Sequence, residues 1–157
     1  MNIVFFTEKE VESDDFIMSC YAGYCRARKE TPKNLKIDRS TPKPKFTCDG
    51  VLCPPYFSLS HSDKLTVCSI GEKPVGVDVQ KIKKVDYARI SERFFGTTIT
   101  NQASFFNEFT KGEATIKLYE IPFTEGMKRR EGKNYNYFKG YAFAMCGDTP
   151  FFFSEVK

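Results

Sequence analysis

Short runs in which apolar and polar residues alternate recur along the chain. In residues 74–80, PVGVDVQ, three valines share one face and Asp78 stands on the other. Runs of similar length begin the chain as MNIVFF and continue as YFSLSHSD at residues 56–63 and KLTVCSIG at residues 64–71. A period of two is typical of a strand with one face in the core, so each run is predicted to be a strand.

Apolar residues at helical spacing mark three further segments. Residues 13–30 begin with acids and end with basic residues, which the helix dipole favours. Residues 85–95 precede Gly96, a residue type that commonly ends helices. The longest periodic pattern covers residues 101–120 and is ended by Pro122. Three helices are therefore predicted, and the last is the longest.

Turn residues between the strands indicate how the strands pair. Gly71–Pro74 is short enough to be the tight connection of an antiparallel hairpin. Residues 135–147 and 151–156 are predicted to form a closing hairpin around the sequence GDTP. The proline- and lysine-rich residues 31–55 are predicted to be a loop with one short strand near Lys36–Arg39.

The composition is that of a globular protein. The 157 residues are 41% hydrophobic and 28% charged, which excludes disorder and allows one core. No apolar run approaches the ~20 residues of a membrane span, and the N-terminus lacks a basic start, so a cytoplasmic location is expected. Six cysteines without zinc-knuckle spacing are expected to be free thiols. Residues 1–157 are predicted to form a single α+β domain.

The net charge of +4 favours a phosphate-bearing ligand or an acidic partner. It is too small and too dispersed to indicate nucleic acid by itself. One segment keeps that alternative open: MKRREGKNYNYF, residues 127–138, places basic residues beside aromatic ones. Its first eight residues are predicted to be a solvated loop.

An acid interrupts the apolar stripe of the longest helix. Phe106, Phe109, Glu113 and Ile116 are spaced three, four and three residues apart, which is the pattern of one buried face. A buried carboxylate is costly unless it is paired or binds a metal. Lys117, one turn further, offers an intrahelical partner. Glu113 is therefore either half of such a pair or a functional acid.

Asp78 allows a similar choice. It is either on the solvent face of a strand, or it forms with Gln80 and an acid of a facing helix a site for Mg²⁺ that also takes phosphate oxygens. His61, the single histidine, stands among serines at a strand end, where a phosphate could bind. A Ser-His-Asp hydrolase is disfavoured because Ser60 and His61 point to opposite sides of a strand.

Five segments occur in an order that is typical of one enzyme family. They are KP at Lys43–Pro44, FSLSHSD at 57–63, VGVDVQ at 75–80, RFF at 93–95 and FTKGEATIK at 109–117. In this order they resemble the 4′-phosphopantetheinyl transferase superfamily, and most of all its surfactin-synthetase-activating (Sfp) type. The resemblance covers roughly residues 13–145, and the chain resembles a shortened form of this type.

The resemblance implies a fold and a reaction. The expected fold is α+β, with antiparallel strands packed on a long helix and two pseudo-two-fold halves, residues 1–72 and 73–157, in a monomer. The expected reaction is Mg²⁺-dependent transfer of 4′-phosphopantetheine from coenzyme A to a serine of an apo acyl or peptidyl carrier protein. The second product would be adenosine 3′,5′-bisphosphate. Neither nucleic acid nor a membrane is an expected partner.

The resemblance also implies roles for residues in the matched segments. Asp78 and Glu113 would be metal ligands, with Gln80 as a third. Glu113 would also be the catalytic base, and Lys117 would neutralise charge on the pyrophosphate. The residues expected to hold coenzyme A are Lys43, Pro44, Ser60, His61 and Lys117.

Three positions depart from the family pattern. Gln80 replaces a second metal-ligand glutamate, Gly112 replaces a lysine for which Lys111 is a potential substitute, and Phe109 replaces a tryptophan. The first two keep a second hypothesis open, in which the protein binds coenzyme A or a carrier without transfer. A small basic nucleic-acid-binding module is the third hypothesis.

Overall fold

The computed structural model describes residues 1–147 and 151–157, apart from the side chain of Phe151. In chain order the described elements are β1 (Asn2–Thr7), α1 (Ser13–Arg28), β2 (Lys36–Asp38), β3 (Lys45–Cys48), β4 (Val51–Leu52), β5 (Tyr56–Ser62), β6 (Leu65–Gly71), β7 (Val75–Lys81), α2 (Tyr87–Phe95), α3 (Gln102–Tyr119), α4 (Phe123–Arg129), β8 (Lys133–Asn134), β9 (Tyr141–Gly147) and β10 (Phe151–Glu155). The prediction of an α+β chain is confirmed.

A four-stranded sheet forms the middle of the molecule. Its order is β10-β1-β6-β5, in which β1, β6 and β5 are antiparallel neighbours and β10 runs parallel to β1. Alternate side chains of β1 lie on opposite faces of this sheet, one towards α1 and the other towards β7. Ile3 packs with Phe16 and Ile17 of α1, whereas Val4 packs with the valines of β7. Both faces of this sheet are therefore buried.

The second sheet has the order β7-β9-β8, and the long helix α3 packs on it. Val75, Val77 and Val79 face the first sheet, and the opposite face of β7 is turned to α3. The hairpin predicted at Gly71–Pro74 is therefore wrong. β6 pairs with β1 and with its neighbour in the chain, β5, to which Asp63 and Lys64 connect it, whereas β7 pairs with the distant β9.

The closing hairpin was also a wrong prediction. β9 joins the second sheet, whereas β10 returns to the first and pairs with β1. Residues 148–150, which include most of the expected turn, lie outside the described residues. The division into halves 1–72 and 73–157 stays a prediction. One strand crosses this boundary, because β10 of residues 73–157 pairs with β1 of residues 1–72.

Two segments contain more regular structure than their composition indicates. The strand expected near Lys36–Arg39 is present as β2, but β3 and β4 join it in a third, three-stranded sheet. The segment expected to be a solvated loop from Met127 starts inside α4. Met127 is fully buried against α3, where Gly112 leaves room for its side chain. The contact between Met127 and Gly112 thus holds α4 against α3.

The helix boundaries follow their capping residues. α2 ends at Gly96, which adopts the left-handed conformation with φ 72°. Asn101 precedes α3 and accepts a hydrogen bond from the Ser104 N–H at 3.0 Å. All six cysteines are free thiols, as expected. Among the helices described, none has both the length and the apolar character needed to cross a bilayer.

Candidate active site

Serine side chains of β5 bind the backbone of β7. The alternation in SLSHS places three hydroxyls on one side of β5, where each accepts an N–H from every second residue of β7. The bonds run from Val77, Val79 and Lys81 to Ser58, Ser60 and Ser62, at 3.0, 3.1 and 2.8 Å. This set of three bonds, here called the serine ladder, joins the first sheet, through β5, to the second sheet, through β7, beside Asp78.

Asp78 is a buried carboxylate with three hydrogen-bond donors. Its Oδ1 accepts from Ser60 Oγ at 3.0 Å and from Lys117 Nζ at 3.2 Å, and its Oδ2 accepts from Gln80 Nε2 at 3.1 Å. Burial raises the pKa of Asp78, and these partners, Lys117 above all, oppose the rise. Asp78 is therefore not on a solvent face, although it is polar in an alternating strand.

A glycine brings α3 close enough to reach Asp78. A Cβ on Gly76 would overlap the carbonyl oxygen of Ala114 and lie 2.6 Å from the Leu118 nitrogen, both on the backbone of α3. Such contacts leave no room for any side chain. The close approach of strand and helix puts Glu113 and Lys117 opposite Asp78.

Glu113 is half-buried and lies close enough to Asp78 for the two charges to interact. Burial raises its pKa, the charge of Asp78 raises it further, and Lys117 opposes both effects. The intrahelical pair with Lys117 is not what the fold adopts, since the Lys117 ammonium binds Asp78 and the Leu59 carbonyl oxygen, at 3.1 Å for the latter. Within the described residues the Glu113 carboxylate has no hydrogen-bond partner.

A cleft of about 460 Å³ opens beside these groups. Lys43 and Pro44 line it together with Glu113 and Lys117. The Lys43 ammonium donates to the Val75 carbonyl oxygen at 2.7 Å. Burial lowers the pKa of Lys43 to about 8, a change that the nearby Glu120 opposes. Four residues of the matched segments thus meet in one cleft.

An apolar pocket of about 210 Å³ adjoins the cleft, since Lys43 and Glu120 line both spaces. Phe46, Leu52 and Tyr56 are among the other side chains of its wall. Glu120 also forms an ion pair with Lys45 at 2.8 Å. Sequence reasoning missed this pocket, because its residues come from a segment expected to be a loop and from the end of α3.

His61 lies elsewhere. The alternation of β5 turns it away from the serine ladder, into a separate depression. Two lysines and three carboxylates also line this depression: Lys9, Lys64, Glu8, Glu10 and Asp63. His61 is exposed, and the structure does not bring it into the cleft with Lys43 and Lys117. Its contact with a phosphate stays a prediction.

The departures from the family pattern have structural counterparts. Lys111 pairs with Glu108 and is not among the cleft residues, so it does not take the place of a lysine at position 112. Phe109 stacks on Phe105, with ring centroids 6.1 Å apart, and anchors α3 as an apolar ring. Gln80 presents its amide nitrogen, rather than its oxygen, to Asp78.

The site offers two carboxylates for a divalent cation. Across the described residues no group of three or more His, Cys, Asp or Glu side chains converges on one point. Asp78 and Glu113 nevertheless lie close enough for their charges to interact, burial raises the pKa of each, and Glu113 has no hydrogen-bond partner among the described residues. Two carboxylates beside a space for phosphate oxygens fit the usual surroundings of protein-bound Mg²⁺.

Similarity to known proteins points to the class of enzyme that the motifs suggest. Curated 4′-phosphopantetheinyl transferases match the chain over partial regions, which confirms the resemblance to the Sfp-type family. No family model matches the chain.

Three of these relatives define the extent of the match. The chain is 45% identical over 72 residues to the transferase gsp of Aneurinibacillus migulanus, a match that covers 40% of the chain and 30% of the relative. It is 37% identical over 73 residues to psf-1 of Bacillus pumilus, covering 40% and 31%. It is 30% identical over 79 residues to Sfp of Bacillus subtilis strain 168, covering 50% and 34%. The matched part thus spans about a third of each relative.

Proposed function

We propose that this protein is a 4′-phosphopantetheinyl transferase that modifies a serine of an apo acyl or peptidyl carrier protein, with coenzyme A as donor. The observation that carries the proposal is that Glu113, Lys117 and Lys43 line one cleft, and that Lys117 binds the buried Asp78 beside it. A polyanionic donor and an acidic carrier also agree with the net charge of +4.

Asp78 and Glu113 would hold Mg²⁺. Gln80 could add its amide oxygen only after turning its amide, because the nitrogen now faces Asp78. When bound, the ion would offset the negative charge of the pyrophosphate and its leaving group. An amide in place of a third carboxylate brings no charge, so a weak metal affinity is expected.

Two lysines have N–H bonds that are available to bind coenzyme A. An ammonium group has three N–H bonds. Lys117 uses two of them, on Asp78 and on the Leu59 carbonyl oxygen, and Lys43 uses one, on the Val75 carbonyl oxygen. Both line the cleft, so their remaining N–H bonds are available to pyrophosphate oxygens.

Glu113 is the group best suited to remove the serine proton. Glu113 lines the cleft and its carboxylate has no hydrogen-bond partner among the described residues, so one oxygen could bind the ion while the other accepts the proton, directly or through a water molecule. The serine oxygen would bond to the phosphorus that bears pantetheine, and the proton would pass to Glu113. The bridging P–O bond would break, with adenosine 3′,5′-bisphosphate as the leaving group.

The two adjoining spaces suit the two chemical parts of the donor. The phosphates would lie beside Lys43 and Lys117, and the purine would enter the apolar pocket with Phe46 and Tyr56 in its wall. On the other side of the site, Gln80 lines an apolar groove of about 410 Å³ with Lys83 and Arg93 among its residues. A groove with apolar and basic residues suits an acidic carrier.

The test is transfer itself. The protein is incubated with coenzyme A, Mg²⁺ and a panel of apo-carriers, and the intact masses of the carriers are measured. A mass gain of one phosphopantetheine is expected, and Asp78→Ala or Glu113→Ala should abolish it. No gain on any carrier, while a control transferase modifies the same panel, would overturn the proposal.

A protein that binds coenzyme A without transfer is the second candidate, which Gln80 favours. Tight binding of coenzyme A without turnover across a range of Mg²⁺ and Mn²⁺ concentrations would support it. The nucleic-acid module has less support, because Arg129 pairs with Glu131 and Arg130 pairs with Glu108. A salt-dependent gel shift would be needed to revive it.

A further inference from the structure

The hydroxyl of Ser60 lies between the Asp78 carboxylate and the backbone of β7. It donates to Asp78 Oδ1 at 3.0 Å and accepts from the Val79 N–H at 3.1 Å. The residue is 6% exposed. A serine hydroxyl has one proton, so the single proton of Ser60 is already bound to Asp78.

This arrangement conflicts with a role for Ser60 as a phosphate ligand. A phosphate group above neutral pH accepts hydrogen bonds and donates none, so Ser60 could bind it only by releasing Asp78. The neighbouring His61 points to the opposite side of β5, among Glu8 and Glu10. The side chains of Ser60 and His61 therefore lie on opposite sides of β5 and contact different groups.

We propose that Ser60 is a positioning residue that fixes the orientation of the Asp78 carboxylate, and that it does not contact a phosphate of coenzyme A. This proposal rests on the proposed function, in which Asp78 is a metal ligand. The hydrogen bonds of Asp78 give its physical basis. A carboxylate has about four acceptor positions. Ser60 and Lys117 occupy Oδ1 and Gln80 occupies one position of Oδ2, so the remaining position on Oδ2 is the one left for a cation.

The serine ladder contains its own control. Ser62 accepts the Lys81 N–H at 2.8 Å, just as Ser60 accepts that of Val79, but Ser62 has no hydrogen bond to Asp78 among the described residues. Ser62→Ala therefore removes the same kind of backbone bond as Ser60→Ala and leaves the donors of Asp78 in place. Any difference between the two variants reports on the carboxylate.

The first measurement is Mn²⁺ binding by the protein alone, followed as free Mn²⁺ by electron paramagnetic resonance. Loss of a partner that orients a metal ligand weakens metal binding by about 10- to 100-fold. We expect a loss of about tenfold or more for Ser60→Ala and less than about twofold for Ser62→Ala. Ser60→Cys, which keeps the volume and offers a weaker donor, should give a smaller loss in the same direction. Unchanged Mn²⁺ binding in Ser60→Ala, or equal losses in Ser60→Ala and Ser62→Ala, would overturn the proposal.

The second measurement separates positioning from phosphate binding. The affinity for adenosine 3′,5′-bisphosphate, measured by calorimetry without metal, should stay within about twofold of the parent protein in Ser60→Ala and Ser60→Cys. In transfer assays both variants should lower kcat/KM equally for coenzyme A and for 3′-dephospho-coenzyme A. A selective loss with coenzyme A would assign Ser60 to the phosphate and reject the positioning role. If the parent protein transfers nothing, the proposed function fails, whereas the Mn²⁺ and nucleotide titrations still decide the role of Ser60.

Discussion

Lys117 and Asp78 form an ion pair between α3 and β7, with Nζ 3.2 Å from Oδ1. The same ammonium donates to the Leu59 carbonyl oxygen of β5. One side chain thus connects three elements at the point where the two large sheets meet. Because Asp78 is only 2% exposed, its negative charge depends on this cation.

Replacing Lys117 by Met should destabilise the fold as well as stop transfer. The change leaves a buried carboxylate with neutral donors only. Removing one partner of a buried pair costs about 3–5 kcal/mol, and a loss of about 2–3 kcal/mol is expected here because Lys117 is 26% exposed. Urea unfolding followed by circular dichroism measures the loss. In the double variant Asp78→Asn/Lys117→Met the loss should be smaller than the sum of the single losses, and a simple sum would show that the two residues are not coupled.

Gln80→Glu restores the carboxylate that the family pattern has at this position. It replaces the amide that now donates to Asp78 Oδ2 by a group of like charge. The metal-free variant should lose about 1–2 kcal/mol of stability, and millimolar Mg²⁺ should raise its Tm more than that of the parent protein. Gln80→Ala, the matched control, removes the donor without adding charge and should not gain Mg²⁺ dependence. The same Tm increase in all three proteins would contradict a metal site at this position.

Gly112→Lys restores another family residue but should not improve activity. A Cβ at position 112 would lie 2.6 Å from Met127 Sδ and 3.3 Å from Met127 Cα. Overpacking of this kind costs about 1–3 kcal/mol, and the docking of α4 should weaken. Thermal unfolding and transfer rates test this expectation. In a Met127→Ala background the same change should cost less, and a single variant as stable as the parent would refute the close packing.

Lys43 should make nucleotide binding depend on pH. Its pKa is lowered to about 8, so the ammonium is lost as the pH rises through 8, whereas the phosphates of the ligand stay ionised. The affinity for adenosine 3′,5′-bisphosphate should therefore fall between about pH 7 and pH 9. Lys43→Arg stays charged and should show little change over this range. Calorimetric titrations at several pH values measure both, and equal slopes would exclude Lys43 as the cause.

The lowered pKa of Lys43 also determines whether the free energy of unfolding rises or falls with pH. In the unfolded chain Lys43 has its ordinary pKa of 10.5, so between pH 8 and 10.5 the unfolded state binds more protons than the folded state. The contribution of Lys43 to the free energy of unfolding should therefore increase with pH across this window. Lys43→Arg should lack that part of the increase in urea unfolding, and an identical pH dependence would argue against a buried ammonium.

Local patterns predicted local structure well. The helices at residues 13–30, 85–95 and 101–120 are present, as are the strands β1, β5, β6 and β7. Strand pairing depends on distant segments, and there the prediction failed. Nothing near Gly71–Pro74 shows that β7 pairs with β9, more than 60 residues later, or that serine side chains cover its other edge.

For the candidate site, spacing marked side chains that the structure brings close together, but it did not predict their partners. The apolar stripe of α3 marked Glu113 as unusual, and alternation put Asp78 on the face opposite the valines. Their meeting depends on the close approach of α3 at Gly76, which only a three-dimensional structure reveals. The same holds for Lys117, whose nearest acid in the sequence pattern, Glu113, is not the acid that it binds.

The serine ladder also protects two strand edges. β5 ends the first sheet and β7 ends the second, so each would present a row of unpaired backbone groups to other chains. Because Ser58, Ser60 and Ser62 occupy the free N–H groups of β7, the two edges close one another without forming a continuous sheet. The residues beside the site thereby also occupy backbone groups that would otherwise be open to pairing with a strand of another chain.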